Sequence, residues 1–101
     1  MEEAEKFLST FDQKTIRKIL FKIDVAEQTR DPKLFKKLQQ DIWEFRINAG
    51  GLQIRFLAFW DKSDAMDVLV VATHGFIKKT QKVPSHQISH ALDLKKKYFH
   101  K

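Results

Sequence analysis

The sequence predicts an α+β fold: two N-terminal helices, a twisted antiparallel sheet of three to four strands and a C-terminal helix. Three observations predict it. Apolar residues recur at helical spacing near both ends of the chain, alternate as in strands through the middle, and are broken there by a glycine pair suited to a tight hairpin. Helices gathered at the ends, away from the strands, mark α+β architecture rather than alternating α/β.

Ala4, Phe7, Leu8 and Phe11 follow the i, i+3, i+4, i+7 spacing, so residues 2–10 read as a short amphipathic helix. Asp12 is the expected N-cap of a second helix, whose apolar face is Ile16, Ile19, Leu20, Ile23 and Ala26. Pro32 to Gln39 reads as a brief helical turn leading to the sheet. From Ile42 to Asn48 the period becomes two: Trp43, Phe45 and Ile47 share one face, and Glu44, Arg46 and Asn48 the other. Ala49-Gly50-Gly51 is the hairpin, Leu52 to Trp60 the second strand and 61–64 a polar turn. Met66 to Thr73 reads as a third strand, central in the sheet because it is nearly all apolar. His74 begins as strand and passes into a basic loop ending at Val83-Pro84. Pro84-Ser85 opens the last helix, with Ile88, Ala91, Leu92 and Phe99 on its buried side.

At 101 residues the chain suits a single domain, 1–101. With 43% apolar residues it has enough for a packed core rather than a disordered chain. The absence of cysteine excludes a disulfide scaffold, a thiolate metal site and a cysteine nucleophile. The acidic N-terminus lacks the apolar stretch of a signal peptide, and the longest apolar run, Val68 to Ala72, is too short to span a bilayer. The expected location is the cytoplasm, with no membrane partner. The net charge is +6, and its distribution matters more than its size. Acids and bases balance over residues 1–73, and the whole excess lies in residues 74–101, where seven lysines meet one aspartate. Such one-sided charge suits a polyanionic partner. A solvated basic helix end is the plainer explanation of Lys95, Lys96 and Lys97, which the helix dipole favours.

His86 and His90 stand at zinc spacing, but no third ligand accompanies them, so no metal and no cofactor is expected. Phosphate-loop glycines and a serine nucleophile elbow are missing too. The basic residues carry more. Arg46 and Arg55 come from adjacent strands, Lys78, Lys79 and Lys82 follow the third, and Tyr98 and His100 end the last helix. If that helix packs beside the sheet, these groups share one concave surface suited to phosphates and bases. RNA is cleaved without a metal when its own 2′-OH attacks the adjacent phosphate. The protein then supplies positive charge and proton transfer, roles open to Arg, Lys, His and Tyr. Packing explanations stand beside these: Glu44 beside Arg46 as an ion pair, Trp43 and Trp60 as core or edge packing, and Phe76 as core on the alternation of Val70 and Ala72, with His74 on it as well.

Asp41-Ile42-Trp43-Glu44-Phe45-Arg46, then Gly51 with Ile54-Arg55-Phe56-Leu57-Ala58-Phe59, then 74–84 (HGFIKKTQKVP) resemble the RelE/ParE toxin superfamily, in its phage-derived HigB-like branch. The similarity covers about residues 4–99, and the last segment is its most specific part. It implies the same RelE-like fold. It also implies the toxin of a type II toxin–antitoxin pair: a ribosome-dependent, metal-independent mRNA endonuclease. The implied partners are mRNA on the ribosome, a helix-turn-helix antitoxin, and operator DNA through the antitoxin complex only. Alternatives are a DNA gyrase inhibitor of the ParE kind and a non-catalytic, decayed nucleic-acid binder. The resemblance implies that Arg55 stabilises the phosphate and that Lys78 or Lys79 moves a proton or supplies charge. Tyr98 joins these as a candidate catalytic group, while Arg46, Lys82, Phe76, His100 and Lys95 are candidate RNA contacts. The general base is unassigned. Two departures stand out: many relatives carry a strand before the first helix, and Phe56 replaces their usual Ile or Leu. A missing edge strand would leave backbone groups open to dimerisation.

Overall fold

The computed structural model describes residues 1–63 and 69–100. Helix α1 spans Glu2–Leu8 and ends earlier than the apolar spacing suggests. The reason is local: the Ser9 and Thr10 hydroxyls donate to Lys6 O and Phe7 O, each at 2.7 Å, and draw the chain out of the helix. Helix α2, Gln13–Thr29, starts at the expected cap, where Asp12 Oδ1 accepts from Thr15 N at 2.8 Å. It ends on Arg30, in the left-handed conformation that closes many helices.

Four antiparallel strands follow in the order β1-β2-β3-β4: β1 Phe35–Lys37, β2 Trp43–Ala49, β3 Leu52–Asp61 and β4 Leu69–Ile77. Helix α3, Ser85–Phe99, ends the fold. The α+β class and the order of helices around the sheet agree with the sequence reading. Gly50 and Gly51, with φ of 57° and 77°, make the two-residue β2–β3 turn that needs positive φ at both positions.

The expected helical turn over Pro32–Gln39 is instead a short turn followed by β1. Leu34 N and Phe35 N both bond Asp31 O at 2.8 Å, after which Phe35 pairs with Phe45 and Lys36 with Glu44. A buried Phe35, stacked on Phe45 and Trp43, rewards strand pairing more than a helical turn would. The apolar third strand is also not central. β4 lies at the sheet's outer side and owes its composition to cover on both faces, by α1 and by α3. It runs on through His74 to Ile77, and the expected start at Met66–Val68 lies outside the described residues.

The two faces of the sheet hold two cores. Helices α1 and α2 cover Phe45, Ile47, Ile54, Phe56 and Ala58. Helix α3 covers Ile42, Leu57, Phe59 and Val71 through Ile88 and Ala91. Its third buried contact is Leu94, whereas Phe99 is 46% exposed. On α2, Leu20 is also exposed, at the mouth of an apolar cleft of about 230 Å³ between the first two helices. Both residues lie at the margins of helix faces narrower than the apolar spacing implied.

A bulge decides which face the end of β4 presents. Leu57 pairs with His74, but Ala58 pairs with Ala72, leaving Thr73 as the extra residue. The Thr73 hydroxyl donates to Leu57 O at 3.0 Å and holds the irregularity. Alternation therefore reverses: Val70 and Ala72 belong to the α1/α2 core, and Phe76 to the α3 core. The expectation that Phe76 shares the alternation of Val70 and Ala72 is corrected by this single inserted residue. Gly75 then faces α1 so closely that a Cβ would collide with the Phe7 ring and lie 2.9 Å from Phe56 Cε1. Side-chain bonds tie the layers: His74 Nε2 meets Gln87 Oε1 of α3 at 2.7 Å, and His90 Nε2 meets Glu3 Oε1 of α1 at 2.7 Å.

Two outcomes follow. Gly75→Ala overpacks the α1–sheet contact and lowers unfolding free energy by about 1–3 kcal/mol in urea titration; an unchanged midpoint contradicts the packing described. Burial holds His74 below the usual histidine range, so the folded chain takes up its proton less readily than the unfolded chain. Stability is then full above about pH 6.5 and declines as pH falls through that value toward the folded-state pKa. Urea midpoints should drop between about pH 7.5 and 5.5, and drop less in His74→Gln; equal midpoints in the parent chain contradict this.

Candidate functional site

On the α3 side of the sheet, the end not covered by that helix carries a charged row. Arg46 and Arg55 are direct cross-strand partners, and Phe76 is the next partner along, opposite Arg55. Two arginines side by side would repel, and Glu44, two residues before Arg46 on the same face, answers both. Its Oε1 lies 3.6 Å from Arg46 Nε and its Oε2 lies 3.6 Å from Arg55 Nε. The Glu44 and Arg55 side chains are each only 3% exposed, while Arg46 is 35% exposed.

Arg55 is held in place from several sides. Its Nη1 donates to Ile54 O at 2.9 Å and, at longer range, to Asn48 Oδ1 and Ile47 O; its Nη2 donates to Gln53 Oε1 at 3.2 Å. Burial pushes its pKa below the ordinary arginine value, with Glu44 opposing. The Nε groups of both arginines and Oε2 of Glu44 nevertheless lack hydrogen-bond partners. Buried unsatisfied donors are rare in folded proteins, and each calls for a physical reason. Here they belong to two arginines, one of which, Arg46, lines a pocket.

That pocket, of about 320 Å³, opens between β1, β2 and the 78–83 segment. Lys36, Arg46, Lys78 and Lys82 line it, with Glu44 as its one carboxylate and Leu38, Val83 and Ile88 as apolar wall. The segment is anchored where Lys78 N bonds Gln53 O at 2.8 Å and the Thr80 hydroxyl bonds Lys82 O at 2.7 Å. Burial holds Lys78 below the ordinary lysine value. Arg55, Arg46 and Lys36 push the same way, and Glu44 pulls against them. The pocket thus offers a phosphate several cations and one ammonium group that gives up its proton more readily than a free lysine.

The structure brings Arg46, Arg55, Phe76, Lys78 and Lys82 of the expected residues together on one face. Arg55 is not on the pocket's wall but pairs with Glu44, which is, and Lys79 is exposed outside it. Tyr98, Lys95 and His100 lie elsewhere. The Tyr98 hydroxyl donates to Asp61 Oδ2 at 2.6 Å, which pushes its pKa up. Asp61 is six residues along β3 from Arg55, roughly 20 Å at strand rise. Lys95 lines a different pocket, with Trp43 and Trp60. His100 is the exposed C-cap of α3. Lys36 carries no site signal in the sequence, because residues 32–39 read as a helical turn rather than as β1. The sequence offers Glu44 only as an ion-pair partner of Arg46; the signal for more is its place two residues before Arg46 and diagonal to Arg55. Among the described residues no group of three or more His, Cys, Asp or Glu is placed to hold a metal, and no helix is long and apolar enough to cross a membrane.

Glu44→Leu leaves two guanidinium groups facing each other without an anion and should destabilise the fold by about 3 kcal/mol or more in urea titration. Adding Arg55→Met to that variant should restore much of the loss. A single variant as stable as the parent contradicts the ion-pair account.

No curated protein and no solved structure matches the chain. A family described as Phage derived protein Gp49-like (DUF891) matches residues 6–96. That span holds all four strands, the Glu44–Arg46–Arg55 group and the lysines of the pocket, and the chain belongs to this phage-derived Gp49-like family.

Proposed function

We propose that this chain is the toxin of a type II toxin–antitoxin pair and cleaves mRNA on the ribosome by metal-independent transesterification. The observation that carries the reading is the convergence of Lys36, Arg46, Lys78 and Lys82 around one pocket that Glu44, the carboxylate paired with Arg55, also lines. A scissile phosphate enters that pocket, and Arg46, Lys82 and Lys36 hold its non-bridging oxygens. When the RNA 2′-OH attacks phosphorus, giving its proton to solvent, negative charge grows on the non-bridging oxygens and these fixed cations stabilise it. Lys78, with its weakened hold on a proton, donates to the departing 5′-oxygen; it is the better placed of the two lysines singled out by the sequence. Arg55 does not touch the RNA. It positions Glu44 and, through it, Arg46. Phe76, half-buried beside Arg55, is the aromatic support of the same face.

Membership of a phage-derived family and the resemblance of the 74–84 segment to HigB-like toxins support the rest: a cytoplasmic protein neutralised by a helix-turn-helix antitoxin, with operator DNA bound through their complex.

Induced expression should arrest growth and create message ends mapped by primer extension. Arg46→Ala and Lys78→Ala, checked by circular dichroism for native folding, should each cut cleavage about a hundredfold. Tyr98→Phe and Lys79→Ala should change it little. Folded Arg46→Ala and Lys78→Ala variants that still cleave at the parent rate defeat the mechanism. Arrest with a DNA-damage response and intact messages replaces it with gyrase inhibition.

A further inference from the structure

A second basic pocket, of about 430 Å³, lies at the other end of the sheet. Its walls are the indoles of Trp43 and Trp60, both half-exposed, with Arg30, Lys37, Lys62 and Lys95 around them. The rings stand edge to face, 6.1 Å apart. Each is fixed by a neighbour: Phe35 stacks on Trp43 at 4.7 Å, and the Arg30 guanidinium lies 4.6 Å from the Trp60 ring centre. Arg30 is delivered there by the left-handed cap of α2. One carboxylate, Asp41, lines the pocket and pairs with Lys37 at 3.0 Å. Its hydrogen bond to Lys37, with Lys37, Lys95 and Lys62 nearby, holds it below the ordinary range. Surplus positive charge therefore remains.

We propose that this pocket holds a nucleotide of single-stranded RNA, its base against the indoles and its phosphate on Lys37, Lys62 and Lys95. The proposal rests on the RNA-cleaving reading and extends it to the strand flanking the cleaved bond. Flat π-surfaces beside several cations are the combination that binds single-stranded nucleic acid regardless of sequence. Position supports the link. Lys36 and Lys37 are consecutive in β1, yet Lys36 lines the first pocket and Lys37 the second. β1 is the edge strand and its successive side chains point to opposite faces, so one RNA strand passing around that edge meets lysines on both sides. An acidic peptide would satisfy the same lysines but leave the indoles unused.

The chain has two tryptophans and both line this pocket, so its intrinsic fluorescence reports this place alone. The probe is a short 2′-O-methyl oligoribonucleotide, whose blocked hydroxyl prevents cleavage. Titrated into the full chain, it should quench emission to a plateau. Lys37→Ala combined with Lys95→Ala should weaken the response about tenfold and reduce its salt slope by about 1.4. No quenching, or quenching identical in the double variant, overturns the proposal. A polyglutamate peptide that saturates the signal where RNA does not assigns the pocket to an acidic protein segment instead and also overturns it. Message cleavage on ribosomes, measured alongside, separates the two claims. Cleavage without an oligonucleotide response defeats this site and leaves the nuclease standing, whereas the opposite pattern does the reverse.

Discussion

The charged end of the sheet depends on one buried carboxylate. Glu44 lies among strands whose neighbouring positions are filled by Leu57 and Phe45, and it faces two guanidinium groups at 3.6 Å. Without it, Arg46 and Arg55 could not be cross-strand partners, because like charges directly opposite repel. With it, one arginine is locked into the sheet by four hydrogen bonds and the other is left reaching the pocket. The contacts are long and unaccompanied by hydrogen bonds to Glu44, so they hold the cations near one another without consuming their donors. The Arg46 guanidinium, only partly buried, is thereby presented to the pocket in a setting where water competes poorly.

The rest of the fold serves to build this row. The Gly50-Gly51 turn fixes the β2–β3 register that sets Arg46 against Arg55. The bulge at Thr73 turns Phe76 toward the same face and lets the chain leave β4 with Lys78 beside the arginines. Helix α3 covers one end of this face through Ile88, Ala91 and Leu94 and stops short of the other, so the row stays open. The weight of charge in the last 28 residues is thus only partly a helix-end effect. Lys78 and Lys82 belong to the pocket, whereas Lys96 and Lys97 sit in the last turn, where the helix dipole favours them.

Much of this was legible in the sequence, for physical reasons that differ by element. The Asp12 cap, the glycine hairpin and the alternation of β2 are local signals, and each forms as read. The grouping of Arg46, Arg55, Lys78 and Lys82 needed only that two strands pair and a third follow. The failures involve long-range competition. β1 exists because Phe35 finds Phe45 and Trp43, which no reading of 32–39 alone reveals. An apolar strand buried on both faces has the same composition at the outside of a sheet as at its centre, so β4 was misplaced. One inserted residue reverses every later side chain, so Phe76 was assigned to the wrong core. A last helix packed beside the sheet suggests that Tyr98 and His100 share the arginines' surface, but α3 carries its C-terminus toward Asp61 instead.

The central claim is that an RNA phosphate sits over the Glu44–Arg46–Arg55 group. The most direct measurement is the side-chain NMR spectrum of the full chain, with arginine Nε–Hε and lysine Cε–Hε signals assigned, during titration with a 2′-deoxy dinucleotide that carries a single phosphate. The account predicts that Arg46, Lys78, Lys82 and Lys36 shift together along one saturating curve, with Arg55 following through Glu44. Shifts that leave Arg46 and Lys78 unmoved while Tyr98, His100 or Lys79 respond would contradict it.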